Sequence, residues 1–211
     1  MKVYHLNINV LKIKPIHEWL SEFPLYIQDD ILQYKKEKDQ WRVLGGKLLL
    51  KTFLHQNNNV FSLNRVKATQ KGKLYFEAAP FDFNISHSGE IVVLAVAEDG
   101  ICGIDIELHR AINYSIFERN FTSTEWETIV NAKHPSQQFF DYWAIKESVI
   151  KADGRGFEVL GKTEILSVKQ AVCDGRMYHI SPVFIEKGYS GCIASDKKIK
   201  QIEIIDLSKV L

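Results

Sequence analysis

The sequence lacks the features that mark disulfide-rich, zinc-binding and membrane proteins. Its three cysteines are odd in number and contain no Cys-x-x-Cys pair, so neither a disulfide framework nor a zinc site is expected. We interpret Cys102, Cys173 and Cys192 as buried thiols in a reducing compartment. The amino terminus alternates apolar and polar residues instead of forming a signal peptide, and no apolar run reaches the length of a membrane span. These absences predict a cytoplasmic protein with no membrane partner.

An excess of either charge is also missing. Lys and Arg number 27 and Asp and Glu number 26, a balance that argues against a protein built to coat nucleic acid. Three enzyme signatures are absent as well: no GxSxG elbow surrounds Ser86 or Ser88, no P-loop occurs, and Gly154-Arg155-Gly156 is not a dinucleotide fingerprint. The 211 residues, 45% of them hydrophobic, suffice for one domain or two packed halves.

Local patterns predict an α+β chain. Alternation from Tyr4 to Val10 indicates a half-buried strand, and Trp41, Leu44 and Leu48 recur at helical spacing from Asp39 to about His55. The segments FDFNIS, IVVLAVA and ICGIDIE predict further strands, and turn signals in the last 60 or so residues favour a mostly antiparallel sheet. Three further expectations concern helix ends. Asn57, Asn58 and Asn59 end the first long helix, and Thr122 with Glu125 forms a capping box that opens another helix. Gly154 ends a helix that runs from about Ser136 to Ala152. We place a division near Glu98–Gly100, between an N-terminal half, 1–98, and a C-terminal half, 99–211.

Two carboxylates lie two residues apart on one predicted strand. Asp105 and Glu107 in ICGIDIE therefore project from the same face of that strand. Partly buried carboxylates side by side repel each other and resist desolvation, and a divalent cation relieves both effects. Hard oxygen ligands with few protein contacts suit Mg²⁺. The alternative is a solvated strand end with Glu107 exposed, and this motif alone favours neither interpretation.

The predicted helix FFDYWAIKESVIK carries charges among its aromatic residues. At ~100° per residue, Glu147 and Lys151 fall inside the apolar arc, where amphipathic helices seldom place charge. An ordinary surface pair four residues apart is the alternative. Their position within the arc favours a functional site. Lys146 lies at the edge of the arc, where it reaches either a phosphate or solvent.

Phosphate-binding candidates occur elsewhere in the chain. Ser86 and Ser88 flank His87 where a strand turns back, so a phosphate could meet hydroxyls and backbone donors there, although a lone histidine at a strand end is more often structural. Basic residues gather at the start of the first long helix and after Gly72, where most such clusters are solvated surfaces; they are Lys35, Lys36, Lys38, Arg42 and Lys73.

Taken together and in order, four motifs resemble the Sfp-type 4'-phosphopantetheinyl transferases. They are GK at Gly72-Lys73, NISHS at Asn84–Ser88, GIDIE at Gly103–Glu107 and WAIKESVIK at Trp143–Lys151. The resemblance implies a pseudo-dimer of two similar α/β halves with coenzyme A, the co-substrate, between them. It implies a magnesium site formed by Asp105, Glu107 and Glu147 with the coenzyme A pyrophosphate.

The resemblance also implies residue roles and a reaction. Glu147 deprotonates the carrier serine, directly or through water, and Lys151 stabilises charge on the phosphates, with Asp105 completing the catalytic set. Lys73, Ser86 and His87 match positions that contact the nucleotide; Arg42 and one of Lys36 or Lys38 join them, with Lys146 a further candidate. The serine of an apo acyl carrier protein or peptidyl carrier domain attacks the β-phosphate and 3',5'-bisphosphoadenosine leaves. A monomer is expected by analogy.

Two other functions compete with this interpretation. A metal-dependent nuclease or phosphodiesterase also uses an acidic strand pair with a Glu and Lys on a helix, but near-neutral charge and the helical position of Lys151 count against it. A non-catalytic coenzyme A- or carrier-binding protein would keep the fold without turnover. The presence of all three carboxylates counts against that alternative.

Overall fold

The computed structural model describes residues 1–57 and 61–209. The N-terminal elements are β1 (Lys2–Asn7), α1 (Ile16–Leu20), α2 (Leu25–Leu32), α3 (Glu37–Gln56), β2 (Val66–Ala68), β3 (Leu74–Phe76), β4 (Asp82–Ser88) and β5 (Ile91–Ala97). Those that follow are β6 (Cys102–Leu108), α4 (Ser123–Val130), α5 (Pro135–Asp153), β7 (Thr163–Ser167), β8 (Gln170–Cys173), β9 (Arg176–Pro182), β10 (Tyr189–Ser195) and β11 (Glu203–Asp206). Within this part of the chain, no helix combines the length and apolar character needed to cross a bilayer.

The local signals at the helix ends are confirmed where the structure describes them. Thr122 and Glu125 form the predicted capping box of α4. Gly154, at φ +82°, ends α5 with its amide donating to the Ile150 carbonyl. Asn57 is the C-cap of α3, whereas Asn58 and Asn59 lie outside the described residues. These signals are reliable because they satisfy backbone groups within one turn of the helix end.

Two main sheets, each covered by one long helix, build an α+β pseudo-dimer. The first sheet has the order β11-β1-β5-β4 and the second the order β6-β10-β9-β8-β7, while β2 and β3 form a separate hairpin. All pairs are antiparallel except β1 with β11. The strand β11 lies in the C-terminal half of the chain but pairs with β1 in the first sheet. The predicted division at 98/99 therefore does not coincide with the boundary between the two sheets.

The strand β5 explains how the halves join. Every residue of IVVLAVA is buried, because the two faces of the strand pack against different layers. Val92, Leu94 and Val96 belong to the core beneath α3. Val93 and Ala95 belong to a second core shared with Ile104 of β6 and other residues of the second sheet. The apolar surface between the two sheets brings β4 and β6 side by side.

The three cysteines are buried and free, as predicted.

Candidate active site

Polar side chains of β4 join the two sheets. β4 is the edge strand of the first sheet and β6 that of the second. Three amides of β6 donate to β4 side chains: Cys102 to Asp82 at 2.8 Å, Ile104 to Asn84 at 2.9 Å and Leu108 to Ser88 at 3.0 Å. The side chains of β4 thereby satisfy the amides that an edge strand would otherwise leave unpaired. This ladder holds β6, which carries the two predicted strand carboxylates, in a defined position beside β4.

Helix α5 lies directly on β6 because Gly103 has no side chain. A Cβ at this position would lie 2.1 Å from the carbonyl oxygen of Ser148 and 2.3 Å from the amide nitrogen of Ala152. The strand and helix backbones are therefore in contact. This close approach brings the two predicted helix residues, Glu147 and Lys151, to the carboxylates of β6.

A buried polar cluster forms where the three elements meet. The Lys151 ammonium donates to Asp105 Oδ1 at 2.5 Å and to Ser86 Oγ at 2.9 Å. Ser86 in turn donates to Asp105 Oδ1 at 2.9 Å, and both Ser86 and Asp105 are buried. The cluster joins β4, β6 and α5. It brings together residues predicted from three separate motifs.

The carboxylates of this cluster are electrostatically strained. Burial raises the pKa of Glu147 to about 7, and the negative charge of Asp105 adds to the effect. Burial and the same charge also raise the pKa of Glu107, whose carboxylate accepts a hydrogen bond from Ser88 at 3.1 Å. Asp105 Oδ2 is buried and has no hydrogen-bond partner among the described residues. A cation placed among these groups would relieve the repulsion and provide a partner for Oδ2.

The site therefore fits a divalent cation in chemistry, while the side chains are not yet in a binding arrangement. Among residues 1–57 and 61–209, no three His, Cys, Asp or Glu side chains are close enough together to hold a metal as they stand. The Lys151 ammonium provides the positive charge beside Asp105 instead. The hard oxygen ligands available for such an ion are the carboxylates of Asp105, Glu107 and Glu147.

A neighbouring cavity of about 330 Å³ lies between α3, β4 and the β2–β3 hairpin. Arg42 and His87 line it, together with Tyr34, Lys47 and Gly72. Arg42 is held by two hydrogen bonds to the Gly89 carbonyl, at 3.0 and 2.8 Å. The surrounding protein disfavours the charged form of the His87 imidazole, and the positive charge of Arg42 disfavours it further. Both effects lower the pKa of His87, although its side chain is solvent-exposed. This cavity brings together two of the predicted nucleotide-binding residues.

Two other predicted ligands are positioned differently. The prediction that Lys146 reaches a phosphate is wrong in this structure, because its side chain is 1% exposed, pairs with Glu125 at 2.8 Å and donates to the Thr163 carbonyl. The Lys73 ammonium is directed towards protein acceptors and does not line the cavity. Lys36 is the exposed N-cap residue of α3 and also lies outside the cavity lining.

Sequence reasoning missed the joining role of Asp82, Asn84 and Ser88. The signal was present, since every second residue of DFNISHS is polar and would share one face of β4. Polar alternation of this kind usually indicates a solvent-exposed face. Here that face meets the edge of a second strand.

Comparisons with known proteins identify the family of the chain. Residues 101–185 match a model of the 4'-phosphopantetheinyl transferase superfamily, and residues 16–99 match a model of a 4'-phosphopantetheinyl transferase N-terminal region. The 4'-phosphopantetheinyl transferase psf-1 of Bacillus pumilus is 35% identical over 164 residues, covering 74% of this chain and 70% of that protein.

Other matches are shorter or weaker. The 4'-phosphopantetheinyl transferase gsp of Aneurinibacillus migulanus is 37% identical over 137 residues, which span 63% of this chain and only 56% of the relative. The crystal structure of the holo-[acyl-carrier-protein] synthase of Thermotoga maritima matches with a TM-score of 0.37 and 18% identity, covering 47% of this chain and 64% of that structure. On the two family models and the psf-1 match, the chain belongs to the 4'-phosphopantetheinyl transferase superfamily, in its Sfp-type branch.

Proposed function

We propose that this chain transfers the 4'-phosphopantetheine arm of coenzyme A to a serine of an apo acyl carrier protein or peptidyl carrier domain. One observation carries the proposal: at the junction of the two sheets, α5 brings Lys151 to Ser86 and Asp105 and brings Glu147 within range of the charge on Asp105. Such a cluster suits phosphoryl-group transfer, in which catalysis depends on positioning and on stabilising negative charge. We further propose that the enzyme acts as a monomer of the holo-[acyl-carrier-protein] synthase type.

The chain's own residues divide the work of the reaction. The serine oxygen forms a bond to the β-phosphorus of coenzyme A, and the bond from that phosphorus to the bridging oxygen breaks. Glu147 accepts the serine proton, directly or through a water, because it is a buried carboxylate beside the proposed diphosphate site. Lys151 stabilises the charge that develops on the phosphate oxygens and on the 3',5'-bisphosphoadenosine that leaves.

The remaining groups bind and orient coenzyme A. A Mg²⁺ ion held by Asp105, Glu107 and Glu147 would neutralise the diphosphate when bound. Arg42 and His87 face the cavity beside this cluster, which we assign to the nucleotide. Ser86 holds the side chains of Asp105 and Lys151 in position, because it donates a hydrogen bond to Asp105 and accepts one from Lys151.

Mass spectrometry of apo-carriers tests the proposal. Acyl and peptidyl carriers are incubated with coenzyme A, with and without Mg²⁺, and a mass gain equal to the arm that requires the metal is expected. Asp105→Asn and Glu147→Gln should abolish the gain while the circular dichroism spectrum stays unchanged. Glu127→Gln, which alters an exposed carboxylate on α4, is the matched control and should retain activity.

The other outcomes separate the alternatives. Cleavage of DNA or of a phosphodiester without any mass gain on a carrier would identify a nuclease or phosphodiesterase. Binding of coenzyme A without transfer to any carrier would identify a binding protein. Near-normal transfer by either carboxylate variant would show that the assigned roles are wrong.

A further inference from the structure

Lys73 holds three separate elements with one ammonium group. It follows Gly72 in the turn between β2 and β3, and its Nζ donates to Asp82 Oδ2 at 2.8 Å, to the Cys102 carbonyl at 3.1 Å and to the Ala152 carbonyl at 3.3 Å. These acceptors belong to β4, β6 and α5. A lysine ammonium has three protons, so the contacts account for its whole donor capacity. Its side chain is only 12% exposed.

Asp82 strengthens the same junction from the other side. Its Oδ2 accepts from the Cys102 amide at 2.8 Å as well as from Lys73. The carboxylate side chain is 17% exposed, and partly buried charge of this kind depends on its counter-ion. The pair thus fixes the first residue of β6 against the first residue of β4.

The contact to Ala152 reaches the helix that carries the proposed catalytic residues. The last four carbonyls of a helix have no partner within it, and a cation near that end is favourable. The Ala152 carbonyl lies within this last turn, one residue after Lys151. The Lys73 stem passes over the helix end, since its Cδ lies 3.4 Å from where a Cβ on Gly154 would be.

We propose that Lys73 and Asp82 form a clamp that holds the end of α5 against β6, and that Lys73 is a positioning residue, not a ligand of coenzyme A. The catalytic part of this inference rests on the proposed transfer reaction. Lys151 lies one residue before the clamped Ala152 carbonyl and donates a hydrogen bond to Asp105 on the clamped strand. Loosening the clamp therefore separates Lys151 from Asp105, whereas the Lys73 side chain itself is not part of the lining of the nucleotide cavity.

Steady-state kinetics of variants distinguish a clamp from a ligand. Lys73→Met should lower kcat about ten- to a hundred-fold, as expected for a displacement near 1 Å, and leave the KM for coenzyme A within about two-fold. Asp82→Asn should have the same signature. The double variant should be no worse than either single one, because both disrupt one interaction and the double change leaves no partly buried lone charge.

The chain provides a matched control in the same turn. Lys71 also reaches across to the second half, where it pairs with Glu158, but both side chains are largely exposed and such pairs contribute little. Lys71→Met should leave kcat and KM unchanged. One outcome would overturn the clamp and identify Lys73 as a nucleotide ligand. In it, the KM for coenzyme A rises ten-fold or more in Lys73→Met, while the kcat and KM of Asp82→Asn stay at the values of the unmodified protein.

Hydrogen exchange tests the clamp independently of turnover. Without substrate, amides in the last turn of α5 and the Gly154 amide should exchange about ten-fold faster in Lys73→Met and Asp82→Asn than in the unmodified protein or Lys71→Met. Unchanged exchange would overturn the clamp whatever the activity. Faster exchange in a chain that transfers nothing to any carrier would support the clamp as a structural device and reject the proposed function, so the two failures are distinguishable.

Discussion

Replacing Gly103 with alanine tests the geometry on which the whole site depends. The added Cβ would lie 2.1 Å from the Ser148 carbonyl oxygen, 2.3 Å from the Ala152 amide nitrogen and 2.9 Å from the Lys151 carbonyl carbon. These are backbone atoms of α5 and cannot rotate away. Relief to an ordinary contact distance of 3.4 Å requires α5 to move away from β6 by about 1.3 Å.

This displacement predicts both a loss of stability and a loss of activity. Overpacking a well-filled interior costs about 1–3 kcal/mol, and we expect the upper end because backbone atoms must shift. Glu147 and Lys151 move with α5 away from Asp105. A misplacement near 1 Å lowers a rate about a hundred-fold, so kcat should fall by roughly that factor.

Urea unfolding and carrier modification measure the two effects, with activity assayed at a temperature where the variant is folded. Gly161→Ala is the control, since a Cβ there meets nothing within 4 Å. It should change the free energy of unfolding by less than about 0.5 kcal/mol. If Gly103→Ala matched this control in both stability and kcat, α5 would not lie on β6 as described.

Three further predictions follow from individual residues. In metal-free buffer the folded chain holds a proton on Glu147 up to about pH 7, whereas the ordinary pKa of 4.5 applies in the unfolded chain. The free energy of unfolding should therefore fall by about 3 kcal/mol as pH rises from about 4.5 to 7. Thermal melts across this range should show that Glu147→Gln flattens the dependence. Lys146→Met should destabilise the fold by about 3–5 kcal/mol, because it leaves the buried Glu125 carboxylate without its counter-ion, while the KM for coenzyme A measured below the melting temperature stays unchanged. Arg42→Gln should raise the KM for coenzyme A about ten-fold or more with little change in kcat, since Arg42 lines the cavity assigned to the nucleotide; an unchanged KM would move the nucleotide elsewhere.

The sequence by itself determined the two long helices, the strands that carry the site and the residue types found there. Capping at Thr122 and Gly154 and the alternation along β1 act over a few residues, so they can be read without knowing the fold. The strand is nevertheless shorter than the alternation predicted, because it ends at Asn7 and Ile8–Ile13 forms a 3₁₀ helix. The expectation that charges on the apolar arc of α5 form a site also came from helical geometry. That geometry selected Glu147 and Lys151, which lie one turn apart on the same face and which the structure brings to the β6 carboxylates.

Only the tertiary structure decided what each charged residue meets. Lys146 and Glu147 are neighbours in sequence, yet the ~100° turn between them directs one to Glu125 and the other to the β6 carboxylates. In the sequence, Lys73 is a basic residue in a turn with no distinguishing feature. In the structure, β4, β6 and α5 place three hydrogen-bond acceptors around its ammonium group. Such roles escape sequence reasoning because they depend on contacts between residues up to 79 positions apart. The packing of the two sheets brings these residues into contact, and no local sequence pattern indicates it.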